Sequence, residues 1–247
     1  MVTPPLFPLE GDALDLSRLE ELIRTGDRRI FSQEGRHYLS LQLRDDIGDE
    51  DALERAKEEL ATISGIAFLL VGDHRPLRVA GISRIDAATG KIQTTVYGRA
   101  AVTIPPPRMR AIGVVVNPDG RIEKPSDSRQ SGGEEVLEMA AQNEPLQRAL
   151  YLYGKLDHNW HGLYMILEAI KDGNGGWSGL VAKSWAGPPV EHFKATANSY
   201  KALGTDARHG TTANGVDNPQ MTLTAAKDLL RHMLLGWIRE LIGKRVI

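Results

Sequence analysis

Leu53-Glu54-Arg55-Ala56-Lys57-Glu58-Glu59-Leu60-Ala61-Thr62-Ile63-Ser64-Gly65-Ile66-Ala67-Phe68-Leu69-Leu70-Val71 is the stretch whose reading decides the fold. Leu53, Ala56, Leu60 and Ile63 recur every three or four residues, the apolar stripe of an amphipathic helix. The acids just ahead, Asp45-Asp46-Ile47-Gly48-Asp49-Glu50-Asp51, suit a helix start because they complement the positive end of its macrodipole. After Gly65 the pattern changes. Residues 66–71, 77–85 and 92–102 are apolar and rich in β-branched side chains, which predicts strands.

Working outward, Leu14, Leu16, Leu19, Leu22 and Ile23 predict an earlier short helix, with Asp15 and Ser17 as candidate caps. Thr25-Gly26-Asp27 breaks it, and residues 37–43 then alternate, Leu39, Leu41 and Leu43 on one face and Tyr38 on the other. Asp86-Ala87-Ala88-Thr89-Gly90 reads as a hairpin loop, residues 110–116 as a strand, and Asn117-Pro118-Asp119-Gly120 as a turn. Residues 1–123 are therefore expected to form an α+β domain, a mainly antiparallel sheet with a helix packed on it. Lys124-Pro125-Ser126-Asp127-Ser128-Arg129-Gln130-Ser131-Gly132-Gly133 is polar and rich in Ser and Gly, and reads as a linker.

Residues 134–247 read as an all-α helical bundle. Val136, Leu137 and Ala140 mark one helix; Leu146, Ala149, Leu150 and Tyr153 a second; Trp160, Leu163, Tyr164, Leu167 and Ile170 a third, with Gly173 suited to a left-handed cap. A short helical turn is expected over 179–185. Val190, Phe193, Ala197, Tyr200 and Leu203 predict a fourth helix. The final helix, behind Thr222 as N-cap, runs through Leu229, Leu230, Met233, Leu234, Trp237 and Leu241.

The chain has 247 residues, 41% hydrophobic and 25% charged, which places it among globular proteins and away from disorder. No apolar run reaches the roughly 20 residues of a membrane helix. No basic stretch precedes an apolar core at the N-terminus, so a cytoplasmic location and no membrane partner are expected. The absence of cysteine excludes disulfides and thiolate chemistry. A net charge of −2, divided as −6 over residues 1–146 and +4 over 147–247, argues against a nucleic-acid coat but permits a polyanion at the C-terminal half. No dinucleotide, phosphate-loop, zincin or hydrolase fingerprint occurs, so no cofactor is expected. His158 and His161 lack a third ligand, so no metal site is assigned. Trp160, Trp177 and Trp185 could rim a small-molecule pocket beside Gly173-Asn174-Gly175-Gly176.

The chemically richest stretch runs from Phe193 to Gly210. On one helix, Lys194, Asn198 and Lys201 would share a face and line a nucleic-acid backbone. Beyond them Asp206, Arg208 and His209 gather a carboxylate, a guanidinium and an imidazole. An imidazole can pass protons near neutral pH and a guanidinium can stabilise a phosphorane-like oxyanion, the combination metal-free RNA cleavage needs.

Helix, helix, a polar segment ending His209-Gly210, a polar loop and a long last helix resemble the HEPN family over residues 134–243. The resemblance implies a helical domain of a kind that often dimerises and, in many members, cleaves RNA in toxin–antitoxin and phage-defence systems. Active members place an Arg ahead of the His with four to six residues between the two. The three corresponding positions here are Gly204, Leu203 and Ala202, so only the His-Gly end matches and the motif is degenerate. The expected function is a binding or sensor protein, with a homodimer through the helical domain and RNA or a nucleotide as partner classes. The alternative is a metal-independent ribonuclease using His209 and Arg208.

Overall fold

A computed structural model describes residues 4–24, 26–44, 46–72, 75–85, 89, 91–96, 115–116, 122–123, 132–155, 157–207 and 220–245. The architecture is α+β, an antiparallel sheet with a helix followed by a mostly helical region. The chain divides into two compact units, Met1–Leu53 with Leu77–Glu134, and Glu54–Pro76 with Glu135–Ile247.

The first unit holds β1 (Leu6–Glu10), α1 (Ala13–Leu22), β2 (Arg28–Gln33), β3 (Arg36–Leu41), β4 (Arg78–Val79), β5 (Gly81–Ile85) and β6 (Ile92–Val96). The sheet order is β2-β3-β1-β5-β6, with β4 also beside β1 and every pair antiparallel. Neither β1 nor β2 is among the strands read from the sequence. β1 is central and its Leu6, Phe7 and Leu9 are buried, yet it carries Pro8. Pro8 has no N–H to give, which normally keeps proline out of central strands. Its carbonyl accepts from Ala80 N at 2.8 Å, and nothing is donated back at the point where β4 gives way to β5. The sheet thus places its interruption opposite the missing donor. The β2–β3 hairpin turns on Glu34 and Gly35, both at positive φ, 51° and 75°, the geometry of a tight two-residue connection.

The cap of α1 is Asp12, whose carboxylate accepts from Leu14 N at 3.0 Å, and not Asp15 or Ser17. Asp15 is fully buried and pairs with Arg18 at 3.2 Å, while Ser17 Oγ donates back to Ala13 O. β7 (Val115–Val116) pairs with β8 (Ile122–Glu123) as a separate two-stranded sheet. The expected turn over 117–120, most of the hairpin loop over 86–90 and the linker residues 124–131 lie outside the described residues.

The largest departure from the sequence reading is α2, which runs unbroken from Asp49 to Val71. Residues 66–71 are helix, not strand, and residues 54–76 belong with the C-terminal helices. The true stop is Gly72, at φ 93°, whose N–H returns to Phe68 O at 3.0 Å. Gly65 serves close approach instead. A Cβ there would stand 2.0 Å from Leu150 O, and one on Gly154 would stand 1.9 Å from Ala61 O. With Ile63, Ile66, Ala67 and Leu69 all buried, packing overrides the weak helix propensity of β-branched residues.

Around α2 the second unit assembles α3 (Gly133–Ala141), α4 (Glu144–Lys155), α5 (Trp160–Gly173), α6 (Gly176–Val181), α7 (Pro189–Ala197), α8 (Tyr200–Leu203) and α9 (Leu223–Arg245). α5 buries Leu163, Ile166, Leu167, Ala169 and Ile170, a helix apolar on most sides. Gly173 is not the left-handed cap expected of it. The C-cap is Asn174 at φ −119°, and Gly173 leaves room for the Trp237 ring, 2.3 Å from where a Cβ would be. Thr222 caps α9 as the sequence predicts, accepting from Ala225 N at 3.1 Å.

Gly65→Ala and Gly154→Ala are each expected to cost about 1–3 kcal/mol, because backbone oxygen cannot yield to the added methyl. Gly243→Ala, in an open stretch of α9, is expected to leave stability unchanged or raise it slightly. Urea unfolding of the three variants against wild type checks the contrast.

Candidate functional site

Of the residues read as catalytic, Arg208 and His209 lie outside the described residues. Asp206 closes a 3-10 turn, Gly204–Asp206, and is exposed. The single helical face expected for Lys194, Asn198 and Lys201 does not form. α7 ends at Ala197, Asn198 is its C-cap, and Ser199 is extended at φ −90°, ψ 108° before α8 begins. Two buried hydroxyls account for the break. Thr196 Oγ1 accepts from Met221 N at 3.2 Å, and Ser199 Oγ accepts from Ala202 N at 3.2 Å. Such side chains offer backbone groups an alternative to the continuous helix.

The three residues accordingly meet different surroundings. Lys194 Nζ is 3.1 Å from both carboxylate oxygens of Glu191 and 3.9 Å from the Trp177 ring centroid. A cation held by a carboxylate and an indole face is already committed. Asn198 Oδ1 is buried and accepts no hydrogen bond among the described residues. Lys201 is exposed on α8.

The tryptophan rim does not assemble either. Trp160 is buried against Phe193 at 5.8 Å, Trp177 carries Lys194 and Lys171, and Trp185 Nε1 donates to Glu240 Oε2 at 3.0 Å. His158 Nε2 donates to Tyr153 O at 2.8 Å, and its ring stacks on Tyr153 at 4.6 Å. His161 is exposed, and no group of three metal-ligating side chains occurs among the described residues. Burial pushes the Tyr153 hydroxyl up to about 12, against the opposing pull of the Arg231 guanidinium and with a smaller push from Asp228.

A different site emerges in the first unit. Ser17, Glu20 and Glu21 of α1, Arg24 just beyond its end, and Ile30 and Phe31 of β2 line a groove of about 380 Å³. Glu20 is pinned to the hairpin. Its Oε1 accepts from Ser32 N at 3.1 Å and Ser32 Oγ at 3.0 Å, and its Oε2 lies 3.2 Å from His37 Nε2. The Ile30 N–H is taken by Ile23 O at 2.9 Å, so α1 and the residue after it close this edge of the sheet. Phe31 stacks on Tyr38 at 5.8 Å, with the Arg29 guanidinium 5.3 Å from its ring. At the other end, Arg24 N donates to Glu134 Oε1 at 2.8 Å, which ties down the end of α1. Glu21 and Arg24 are both exposed. The sequence signal is confined to the polar residues 17, 20 and 21 of α1, which without β2 beside them read as a solvated helix face, and Arg24 beyond the helix gives none. No family model matches the chain, nor does any curated protein or solved structure.

The Tyr153 shift has a pH consequence. The native state keeps a proton that the unfolded chain releases, so stability falls as pH rises from about 10 to about 12, by about 1.4 kcal/mol per pH unit. Tyr153→Phe is expected to remove that part of the alkaline slope. Urea unfolding of both proteins at a series of alkaline pH values, with the near-ultraviolet tyrosinate signal followed in parallel, checks it.

Proposed function

We propose that the chain is a binding or sensor protein: its first unit holds a small ligand in the α1–β2 groove. The helical unit is HEPN-like with a degenerate motif and pairs with a second copy. The setting is cytoplasmic, of the defence or toxin–antitoxin type. The observation that carries this reading is the groove itself, whose volume falls among small-ligand sites and whose walls combine fixed polar groups with an aromatic ring. Two further facts favour binding over RNA cleavage. No arginine stands at Ala202, Leu203 or Gly204, and Lys194 is engaged by Glu191 and Trp177. Among the described residues no helix is long and apolar enough to cross a membrane.

The test is a thermal-shift screen of the full chain with metabolite pools covering nucleotides, amino acids, sugars and organic acids. At least one class is expected to raise Tm by mass action and to lose that effect in Ser17→Trp, where an indole fills the groove. Size exclusion is expected to give twice the chain mass. Mixed RNA incubated with the protein in EDTA is expected to stay intact; cleavage by wild type that is lost in His209→Ala would replace this reading with the ribonuclease one.

A further inference from the structure

The charges around the groove narrow its ligand, on the premise that the groove is the binding site. Glu21 stands in the last turn of α1 and Arg24 two residues beyond its end, both lining the groove, and neither side chain makes an ion pair among the described residues. They are the charges of opposite sign left on the groove's lining, since Glu20 is held by Ser32 and His37. A polyanion such as a nucleotide would meet two carboxylates here. A simple cation would meet the Arg24 guanidinium, with Arg29 already over the ring of Phe31. A ligand carrying one charge of each sign satisfies both ends.

We propose that the groove binds a free α-amino acid with an apolar side chain: the ammonium on Glu21, the carboxylate on Arg24 and the side chain against Phe31. The end of α1 adds to this arrangement. The last turn of a helix carries partial negative charge, which favours an ammonium group beside it. The Glu134 bond to Arg24 N holds the helix end still, so less ordering is left to the moment of binding. A guanidinium presents two parallel N–H groups to a carboxylate, which suits Arg24 to the acid end of the ligand. Phe31 stacks on Tyr38 and carries the Arg29 guanidinium over its ring, so it meets the side chain with its apolar ring edge.

The experiment is isothermal titration of the full chain with L-phenylalanine and L-leucine. Two truncated probes are run beside them, phenethylamine without the carboxylate and 3-phenylpropionate without the amine. The amino acids are expected to bind, and each truncated probe to bind about tenfold or more weakly, as expected for loss of one charge-assisted contact. Glu21→Gln and Arg24→Gln, both at exposed positions, are expected to keep the circular-dichroism spectrum and weaken amino-acid binding by a similar factor. Binding that is indifferent to both substitutions overturns the proposal, as does binding of either truncated probe as tight as that of the amino acid. If the amino acids give no heat while another class shows a Tm shift abolished by Ser17→Trp, this inference falls and the binding function stands. If no class shows such a shift, both fall.

Discussion

The second unit depends on one backbone contact. At Gly65 and Gly154 the helices α2 and α4 touch main chain to main chain, closer than any side chain would allow. That contact fixes where α2 lies, and other features follow from it. Phe68 reaches the Tyr153 and His158 rings edge-on at 6.3 and 5.6 Å, and Arg231 of α9 donates to Leu69 O at 2.9 Å. The last carbonyls of a helix lack partners of their own, so Arg231 satisfies one of them from a neighbouring helix. Glycine is usually a cost inside a helix. Here its lack of a side chain is what lets the second half of α2 lie against α4.

This contact also explains where sequence reading succeeded and where it failed. α3, α4 and α9 were legible because each shows an apolar stripe against polar residues, α5 because its large apolar residues keep the helical spacing, and Thr222 announces the start of α9. The second half of α2 was not, because residues 66–71 are apolar without a break, which hides the helical period, and such a short apolar run imitates a strand. β1 was hidden by Pro8, whose missing N–H is accommodated only because the neighbouring pairing lapses at Ala80. The α7–α8 break was hidden because Thr196 and Ser199 act through partners that periodicity does not report, one of them Met221, far along the chain.

The candidate site divides along the same line. Chemical types can be read one residue at a time, as for Asp206, and a shared face for Lys194, Asn198 and Lys201 follows from spacing only if one helix runs unbroken through them. Commitment cannot be read in that way. Lys194 is exposed enough to bind a phosphate but already balanced by Glu191 and Trp177. In the α1–β2 groove Glu20 is spent on Ser32 and His37, and that leaves its neighbour Glu21 as the carboxylate facing solvent. Adjacent residues of the same type thus differ, one bonded to the hairpin and one exposed, and only the strand laid beside the helix separates them.

The interleaving of the units bears on how the protein is made. Ribosomal synthesis delivers residues 54–76 long before Leu150, Gly154 and Arg231, which complete their surroundings. The nascent chain therefore carries Ile63, Ile66 and Leu69 without their final cover through the whole time that the sheet strands β4 to β6 emerge. Contacts between such distant segments form slowly, because the intervening loop must close first. Apolar surface left open during folding is prone to aggregate, and the second half of α2 carries such surface until α4 and α9 arrive.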